Sequence, residues 1–368
     1  MKTLKRILAA VLSCSMLLAC AACGTSSSSS AAGSAAASTD STASTAASTT
    51  KSGSITVGFS YPTANNEFWK NALTYVNQAA TAIGFKVDAK DCNNDQAQQV
   101  TDVDNMISSG INALVLGPQD ASVCAGITAS CKAKNIPVVI IDRWPGDDLK
   151  AGTDYVCFIG PNDQQAGYDM ATSLIKGGCK KLVGIGGYQG TSVAEGRKAG
   201  LDKALKEHPE VKLLQYMYAG ENWDDGDKAF RNLYQAHPDL DGVWCYNDSL
   251  ALASVNVLKE EKKISSVKVG GMDLLSPAVK SMTSKELWFS TGGHYLQAAF
   301  GAVIAYDVAS GISYTGQKKI QLDLLCVDQT NVAKFSNKYG DGKQAIDWTN
   351  ITKTKNPKST YTFKLSLD

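Results

Sequence analysis

From about residue 54 onward, short apolar runs alternate with longer segments whose apolar residues recur at helical spacing. The apolar runs predict strands, and the segments with helical spacing predict helices. In the first half, the predicted strands are 55–60, 86–91, 113–117 and 138–142, and the predicted helices are 68–83, 95–109 and 122–135. Near-continuous apolar runs of this kind are typical of strands that are buried on both faces of a parallel sheet.

The same alternation starts again near residue 181. The predicted strands of this second half are 181–186, 211–218, 242–246, 267–272, 287–291 and 320–327, and the predicted helices are 193–207, 223–237, 249–260, 276–284 and 296–310. Strands that alternate with helices indicate right-handed βαβ units and a doubly wound sheet. The predicted fold class is therefore α/β, with two similar doubly wound parallel-sheet lobes.

Residues 1–22, at the N-terminus, are predicted to form a lipoprotein signal peptide. Three basic residues precede an apolar stretch, 7–18, which is shorter than the roughly 20 residues that a membrane-spanning helix needs. Small residues before Cys23 resemble a bacterial lipobox, so we expect Cys23 to carry a lipid that anchors the protein outside the cytoplasm. Lipidation of Cys20 and ordinary cleavage with release are the alternatives. Residues 23–53 are almost entirely Ser, Ala and Thr and predict a flexible tether.

The charge balance after this segment excludes one class of partner. The chain has 36 basic and 35 acidic residues, of which three basic and one acidic precede residue 51, so the remainder carries one net negative charge. A near-neutral chain without a dense basic run gives no electrostatic basis for binding nucleic acid. No later segment is long and apolar enough to cross a bilayer, so we expect membrane contact only through the N-terminal lipid.

Polar and aromatic residues follow the predicted strands in both halves. Ligands of open parallel sheets bind beyond the carboxyl ends of the strands, so these residues would line a cleft between two opposed sheets. They include Asp142, Arg143, Asn247 and Asp273. Carboxylates accept hydrogen bonds from hydroxyls, guanidinium groups donate them, and aromatic faces cover C–H groups, which together suit a polyhydroxylated ligand. Each residue also has a plain structural alternative as a helix cap, an ion pair or a core side chain.

Enzyme chemistry has little support in the sequence. Residues 184–190 nearly match the dinucleotide-binding fingerprint GxGxxG, but the last glycine comes one residue late and no acid is placed to hold a ribose. The Walker, GxSxG and HExxH motifs do not occur, and the cysteines and three histidines lack the spacing of a zinc site. We therefore expect a protein that is not an enzyme and that needs no cofactor or metal.

Several motifs together resemble those of the type 1 periplasmic binding proteins for sugars, the ribose- and galactose-binding group. The resemblance extends from about residue 54 to about residue 335. The motifs are Asn65-Asn66-Glu67-Phe68-Trp69, Asp142-Arg143, Gly190-Thr191-Ser192 with Arg197, Asn247-Asp248 and Gly271-Met272-Asp273. Met272 departs from the pattern, because the family usually has an aromatic residue there.

The resemblance implies a site and a mechanism. The residues that it implies as ligand contacts are Asn66, Phe68, Trp69, Asp142, Arg143, Arg197, Trp223, Asn247, Asp273 and, as the weakest, His294. The ligand would be a monosaccharide, which a monomeric protein delivers to the permease of an ABC transporter. A sensory protein that presents its ligand to a chemoreceptor or a sensor kinase is the alternative, and the sequence does not separate the two.

The resemblance also implies discontinuous lobes. Three crossings near 159–162, 292–294 and 324–327 would form a three-segment hinge, as in the periplasmic binding protein type 1 fold. The N-terminal lobe would then contain residues 54–160 and 294–325, and the C-terminal lobe residues 161–293 and 326–368. Closure of the hinge around the ligand would let both lobes contribute contacts.

Overall fold

Two six-stranded sheets organise the part of the chain that the computed structural model describes, which is residues 54–339, 346–363 and 365–367. The predicted signal peptide, the tether and Cys23 lie outside the described residues. Each sheet carries helices on its faces, which confirms the predicted α/β fold with two lobes. Among the described residues, every helix is too short or too polar to span a membrane.

The first sheet is parallel throughout. Its strands are β1 (Thr56–Tyr61), β2 (Lys86–Asp91), β3 (Ala113–Leu116), β4 (Val138–Ile141), β5 (Phe158–Pro161) and β11 (Lys319–Leu322). They lie in the order β11-β5-β4-β3-β1-β2. The central strands β3 and β4 are fully buried, as expected for a sheet that is covered on both faces.

Helices cover both faces of this sheet, and each face has its own hydrophobic core. The helices of the first lobe are α1 (Glu67–Ile83), α2 (Gln96–Ser108), α3 (Cys124–Ala133), α9 (Gln297–Ala309) and α11 (Trp348–Ile351). The α1, α9 and α11 helices pack on one face, and α2 and α3 pack on the other. Almost all of α9 is buried, because its apolar residues surround the helix instead of forming a single stripe.

The second sheet repeats the order of the first with one exception. Its strands are β6 (Lys181–Gly186), β7 (Lys212–Tyr218), β8 (Gly242–Cys245), β9 (Lys268–Asp273), β10 (Phe289–Gly292) and β12 (Leu325–Asp328). They lie in the order β12-β10-β9-β8-β6-β7, and β12 runs antiparallel to β10. Its helices are α4 (Asp163–Lys176), α5 (Ser192–Glu207), α6 (Trp223–Ala236), α7 (Asp248–Glu260), α8 (Ser276–Thr283) and α10 (Val332–Tyr339).

The α4 and α5 helices approach each other closely because glycines lie between them. A Cβ atom on Gly167 would lie 1.9 Å from the carbonyl oxygen of Arg197, and one on Gly200 would lie 2.0 Å from that of Gln164. Any larger residue at either glycine would therefore push the helices apart. This contact matters for the site, since it fixes the position of Arg197 on α5.

The chain passes between the sheets at three points. β5 ends at Pro161 in the first sheet and α4 follows in the second lobe, β10 leads from the second sheet to α9, and β11 leads to β12. The sequence had suggested a single strand at 320–327, whereas the structure has two short strands there, one in each sheet. β5 and α4 were absent from the elements that the sequence suggested.

The C-terminal tail contacts both lobes, which differs from the assignment of all of 326–368 to the second lobe. Tyr339 at the end of α10 packs in the second core, whereas Trp348 and Tyr361 are buried in the first core. The buried carboxylate of Asp307 on α9 holds this part of the tail, because it accepts hydrogen bonds from the hydroxyls of Thr352 and Tyr361. The tail then returns to the second lobe through its last described residues.

Candidate ligand-binding cleft

A small cavity lies between the lobes, where the carboxyl ends of strands from both sheets meet. Its volume is about 20 Å³, enough for about one water molecule. The residues that line it are Asn66, Phe68, Trp69, Asp142, Arg143, Arg197, Glu221, Tyr246, Asn247, Asp273 and His294. Nine of the ten residues that the sequence suggested therefore come together in one place.

Trp223 is the exception among the suggested residues. It is the first residue of α6, is 43% exposed and does not line the cavity. The helix start is fixed by a capping box in which Asn222 accepts a hydrogen bond from the backbone of Asp225. Glu221, two residues before Trp223, lines the cavity instead.

The start of α1 forms the aromatic wall of the first lobe. Asn66 caps the helix, since its side chain accepts a hydrogen bond from the backbone of Phe68 at 2.8 Å. Phe68 packs against His294, with ring centroids 4.7 Å apart, and meets Trp69 edge to face at 5.1 Å. The absence of a side chain at Gly117 makes room for the indole of Trp69, because a Cβ there would lie 2.9 Å from the ring.

Asp142 directly follows β4 and has a left-handed backbone, with φ at 68°. Its carboxylate accepts a 2.7 Å hydrogen bond from the side-chain nitrogen of Gln297 on α9. Burial raises the pKa of Asp142, although the guanidinium groups of Arg143 and Arg197 oppose that rise. A residue held in a sparsely populated backbone region and buried with its charge is typical of functional sites.

Arg143 connects the two lobes across the cleft. One of its terminal nitrogens donates to both carboxylate oxygens of Glu221, at 2.9 and 3.2 Å. The other donates to the backbone and side-chain oxygens of Gln119, at 2.6 and 3.2 Å. The hydroxyl of Tyr246 also donates to Glu221, at 3.1 Å. The ion pair is almost wholly shielded from water, since the side chains of Arg143 and Glu221 are only 4% and 10% exposed.

Arg197 on α5 is held by second-lobe groups and by His294 at the crossing. Its Nε donates to Asp163 at 3.1 Å, and one terminal nitrogen donates to the backbone carbonyl of Tyr246 at 2.8 Å. Its other terminal nitrogen lies 3.5 Å from Nε2 of His294. A guanidinium group can only donate, so this contact is a hydrogen bond only in the tautomer that carries its ring proton on Nδ1.

Asp273 ends β9 at the position that corresponds to Asp142 in the first sheet. Its backbone is also left-handed, with φ at 127°. Gly292 on the neighbouring strand leaves space for this conformation, because a Cβ there would lie 2.3 Å from the carbonyl carbon of Asp273. Burial raises the pKa of Asp273 well above its usual value, and the nearby carboxylate of Asp248 adds to the rise.

His294 lies beside Asp273 without forming an ion pair. The two side chains are 3.6 Å apart, but burial lowers the pKa of His294 well below its usual value, and Arg197 lowers it further. The imidazole is therefore neutral near pH 7. Its Nδ1 is buried and has no partner among the described residues.

Asn247 combines a structural role with a place in the cleft. It caps α7 by accepting from the backbone of Leu250 at 3.0 Å, and its amide nitrogen donates to the backbone carbonyl of Glu221 at 2.8 Å. Sequence reasoning missed Glu221 and Tyr246, although both follow or end predicted strands at the same sheet edge. Their position at this sheet edge was the signal from which both residues could have been predicted.

Two larger cavities lie elsewhere. One of about 490 Å³ lies between α1 and α8, and one of about 1040 Å³ lies at the amino ends of the first-sheet strands. Ligands of open parallel sheets bind at the carboxyl ends, which favours the smaller cleft. The described residues contain no group of three or more side chains that could hold a metal ion.

Two opposed parallel sheets with a polar cleft at their shared edge define a two-lobed solute-binding protein of type 1. Residues 57–313 match the family model described as the periplasmic binding protein domain. The chain therefore belongs to the periplasmic binding protein family, and it is of the sugar-binding, ribose- and galactose-like type that the motifs resembled.

Similar proteins are binding components of transporters rather than enzymes. The chain is 29% identical over 235 residues to the ribose import binding protein RbsB of Bacillus subtilis. The aligned residues cover 63% of this chain and 74% of that protein. A solute-binding protein of an ABC transporter from Mycobacterium smegmatis, solved with bound glycerol, is 27% identical with a TM-score of 0.69, covering 76% and 96% of the two chains. One from Bacillus halodurans, solved with bound myo-inositol, shares the fold at 23% identity with a TM-score of 0.72, covering 79% and 100%.

Proposed function

We propose that this protein binds a monosaccharide in the cleft between its lobes and delivers it to the permease of an ABC transporter. The observation that carries the proposal is that side chains from both lobes meet in the cleft between the carboxyl ends of the two sheets. They supply the donors, acceptors and aromatic faces that a sugar ring needs. The names of the similar proteins, which include ribose import and xylitol-binding proteins, support a polyhydroxylated ligand.

The residues have complementary roles in this proposal. Asp142 and Asp273 accept hydrogen bonds from sugar hydroxyls, while Asn66 and Asn247 both donate and accept. Phe68 and Trp69 cover an apolar C–H face of the ring. In the proposed complex Arg143, Arg197 and His294 complete the set, and Trp223 lies outside it.

Hinge closure is the proposed mechanism. The cavity of about 20 Å³ holds roughly one water molecule, so a sugar enters only when the lobes part. Both lobes then contribute contacts in the closed state, which is selected because it binds the ligand better. The closed protein, a monomer in this proposal, presents a surface to the permease.

Titration calorimetry with D-ribose, D-galactose, D-glucose, D-xylose and myo-inositol tests the proposal. We expect saturable binding of at least one compound, together with a smaller radius of gyration by X-ray scattering when it is bound. Absence of binding to every sugar and polyol would overturn the proposed ligand class. Binding without a change in radius would overturn hinge closure alone.

Lipid anchoring is a separate part of the proposal and rests on the sequence around Cys23. The Cys23→Ala variant should move from the membrane fraction to the soluble fraction of cells. The Cys20→Ala variant is the matched control and should stay in the membrane fraction. The reverse result would place the lipid on Cys20, and membrane retention of both variants and of the double variant would overturn the anchor.

A further inference from the structure

The cleft contains more carboxylates than cations. Asp142, Glu221 and Asp273 line it together with two guanidinium groups, and a fourth carboxylate, Asp163, lies directly behind Arg197. No lysine is among the lining residues of the described cleft, and His294 is neutral because burial lowers its pKa. With every acid ionised, this set has an excess of two negative charges.

Both guanidinium groups already form ion pairs with carboxylates of the protein. Glu221 accepts two hydrogen bonds from one terminal nitrogen of Arg143, at 2.9 and 3.2 Å. Asp163 and the backbone carbonyl of Tyr246 take those of Arg197, at 3.1 and 2.8 Å. Charge-assisted hydrogen bonds of this kind are among the stronger polar contacts in proteins. The two arginines are therefore poor sites for a ligand carboxylate or phosphate.

The other two carboxylates make no direct ion pair with an arginine, although the charge of Arg197 opposes the rise in pKa of both of them. Among the described residues, no Lys or Arg nitrogen lies within 4.0 Å of Asp142 or Asp273, and the nearest ionisable nitrogen to Asp273 belongs to the neutral His294. The side-chain oxygen of Gln297, next to Asp142, is also buried without a partner. Nε of Arg143 and Nδ1 of His294 are also buried without a partner among the described residues. A ligand in the cleft therefore meets the two carboxylates as acceptors and also at least one free donor.

We infer that Glu221 is a specificity-determining residue that makes the cleft prefer a ligand with a protonated amine, an amino sugar or an amino polyol, over the matching neutral sugar. The inference rests on the proposed function, in which this cleft takes a polyhydroxylated ligand. Glu221 pairs with Arg143 and Asp163 pairs with Arg197. When Asp142 and Asp273 are ionised, an ammonium group of the ligand would offset the excess negative charge that remains. An ammonium group brings three donors and its charge, and burying it is favourable only where carboxylates pair with it.

Calorimetry at pH 6.5 with matched compounds tests this inference. The pairs are D-glucose and D-glucosamine, D-galactose and D-galactosamine, and sorbitol and 1-amino-1-deoxysorbitol, with D-glucuronate as the anion and D-ribose as a further neutral sugar. We expect the amine of at least one pair to bind at least tenfold more tightly than its neutral partner, and glucuronate to bind most weakly.

Variants assign the preference to Glu221. Glu221→Gln should reduce the amine-to-neutral ratio to threefold or less, whereas Glu221→Asp, which retains the charge, should keep most of it. Asp224→Asn is the matched control, because it removes an exposed charge three residues away without touching the cleft, and it should leave the ratio unchanged. Thermal melts check that each variant is folded.

The outcomes separate this inference from the proposed function. A neutral sugar that binds more tightly than every amine overturns the amine preference and supports the proposed function. Failure of every amine and neutral compound to bind overturns both. An equal loss of both members of a pair in Glu221→Gln, with the ratio retained, assigns Glu221 a structural role and overturns its part in specificity.

Discussion

The first lobe presents Phe68 and Trp69 to the cleft from the start of α1, whereas the second lobe presents Arg197, Glu221 and Asp273. Five strands of each sheet follow the same order, and only the outermost strand, β11 or β12, differs in direction. The two lobes thus place different chemistry at the same edge of the same framework. A repeated fold fixes where a site lies, and the loops after each strand decide what it recognises.

The closest parallel between the lobes is the pair of aspartates after β4 and β9. Asp142 and Asp273 are both buried with positive φ, but their surroundings differ. Asp142 has two guanidinium groups and Gln297 to favour its charge, whereas only Arg197 favours the charge of Asp273, against the carboxylates of Asp248, Asp142 and Glu221. Variants can show whether the division between the lobes is real.

The largest expected effect is a loss of stability. It is found by comparing a glycine between closely packed helices of the second lobe with a glycine in an open position of the first lobe. Gly167→Ala would bring a Cβ to 1.9 Å from the carbonyl oxygen of Arg197, so the free energy of unfolding should fall by about 3 kcal/mol. Gly126→Ala, in α3 with nothing within 4 Å of the added Cβ, should be neutral or stabilising by up to about 1 kcal/mol. Urea denaturation measures both, and equal effects would remove this contrast between the lobes.

The next effect concerns ligand affinity and both aspartates. Asp142→Asn and Asp273→Asn each exchange a charged acceptor for a neutral one, and hydrogen bonds to charged groups contribute about 1.5–3 kcal/mol. We expect affinity for the ligand found by calorimetry to fall tenfold or more in each variant, with the fold retained. Affinities within twofold of wild type in both variants would contradict the site, and a loss in only one would show that one lobe dominates recognition.

A smaller effect should appear as a pH dependence of stability. Burial raises the pKa of Asp142 and Asp273 above the usual 3.8, so the folded state binds these protons more tightly than the unfolded state does. The resulting stabilisation is complete below about pH 4 and is lost as pH rises through the folded pKa values. Asp273→Asn should flatten the fall in urea midpoint between pH 5 and pH 8 more than Asp142→Asn does. The opposite order would contradict the difference between their surroundings.

The smallest effect tests whether Trp223 adds an aromatic contact from the second lobe beside that of Tyr246. Trp223 is 43% exposed and Trp69 is 2% exposed. Trp223→Ala should leave ligand affinity within twofold, since the residue does not line the cavity. A tenfold loss of affinity in Trp223→Ala would show that Trp223 supplies this contact.

The alternation of strands and helices was sufficient to predict most of the fold. It missed β5, a strand of four residues that contains Gly160 and ends in Pro161, and it missed α4, which begins with three polar residues followed by the small residues Ala166 and Gly167. Short strands with such residues give little periodic signal. The docking of the tail on the first lobe depends on hydrogen bonds from Thr352 and Tyr361 to Asp307, which lies 45 and 54 residues earlier. No local pattern could indicate it.

The candidate site was predictable where a motif fixes a side chain at a strand end. Asp142, Arg143 and Asp273 come directly after or at the end of their strands, so the sheet edge alone places them. Glu221 and Trp223 follow β7 by three and five residues, and only the geometry of the intervening turn decides which of them lines the cleft. That geometry depends on a helix cap and on Arg143 in the other lobe, neither of which is visible in a single segment.

If the lobes close around a ligand as proposed, the C-terminal tail couples the affinity of the cleft to a distant part of the chain. It leaves the second lobe after Tyr339 and is docked on the first at Trp348, a stretch that nine residues can bridge over roughly 30 Å at most. Any opening that separates these two anchor points must stay within that reach or detach Trp348 from its core. The work of opening is then shared between the hinge and the tail. Since apparent affinity scales with the fraction of binding-competent protein, residues that never touch a ligand help to set how tightly it is held.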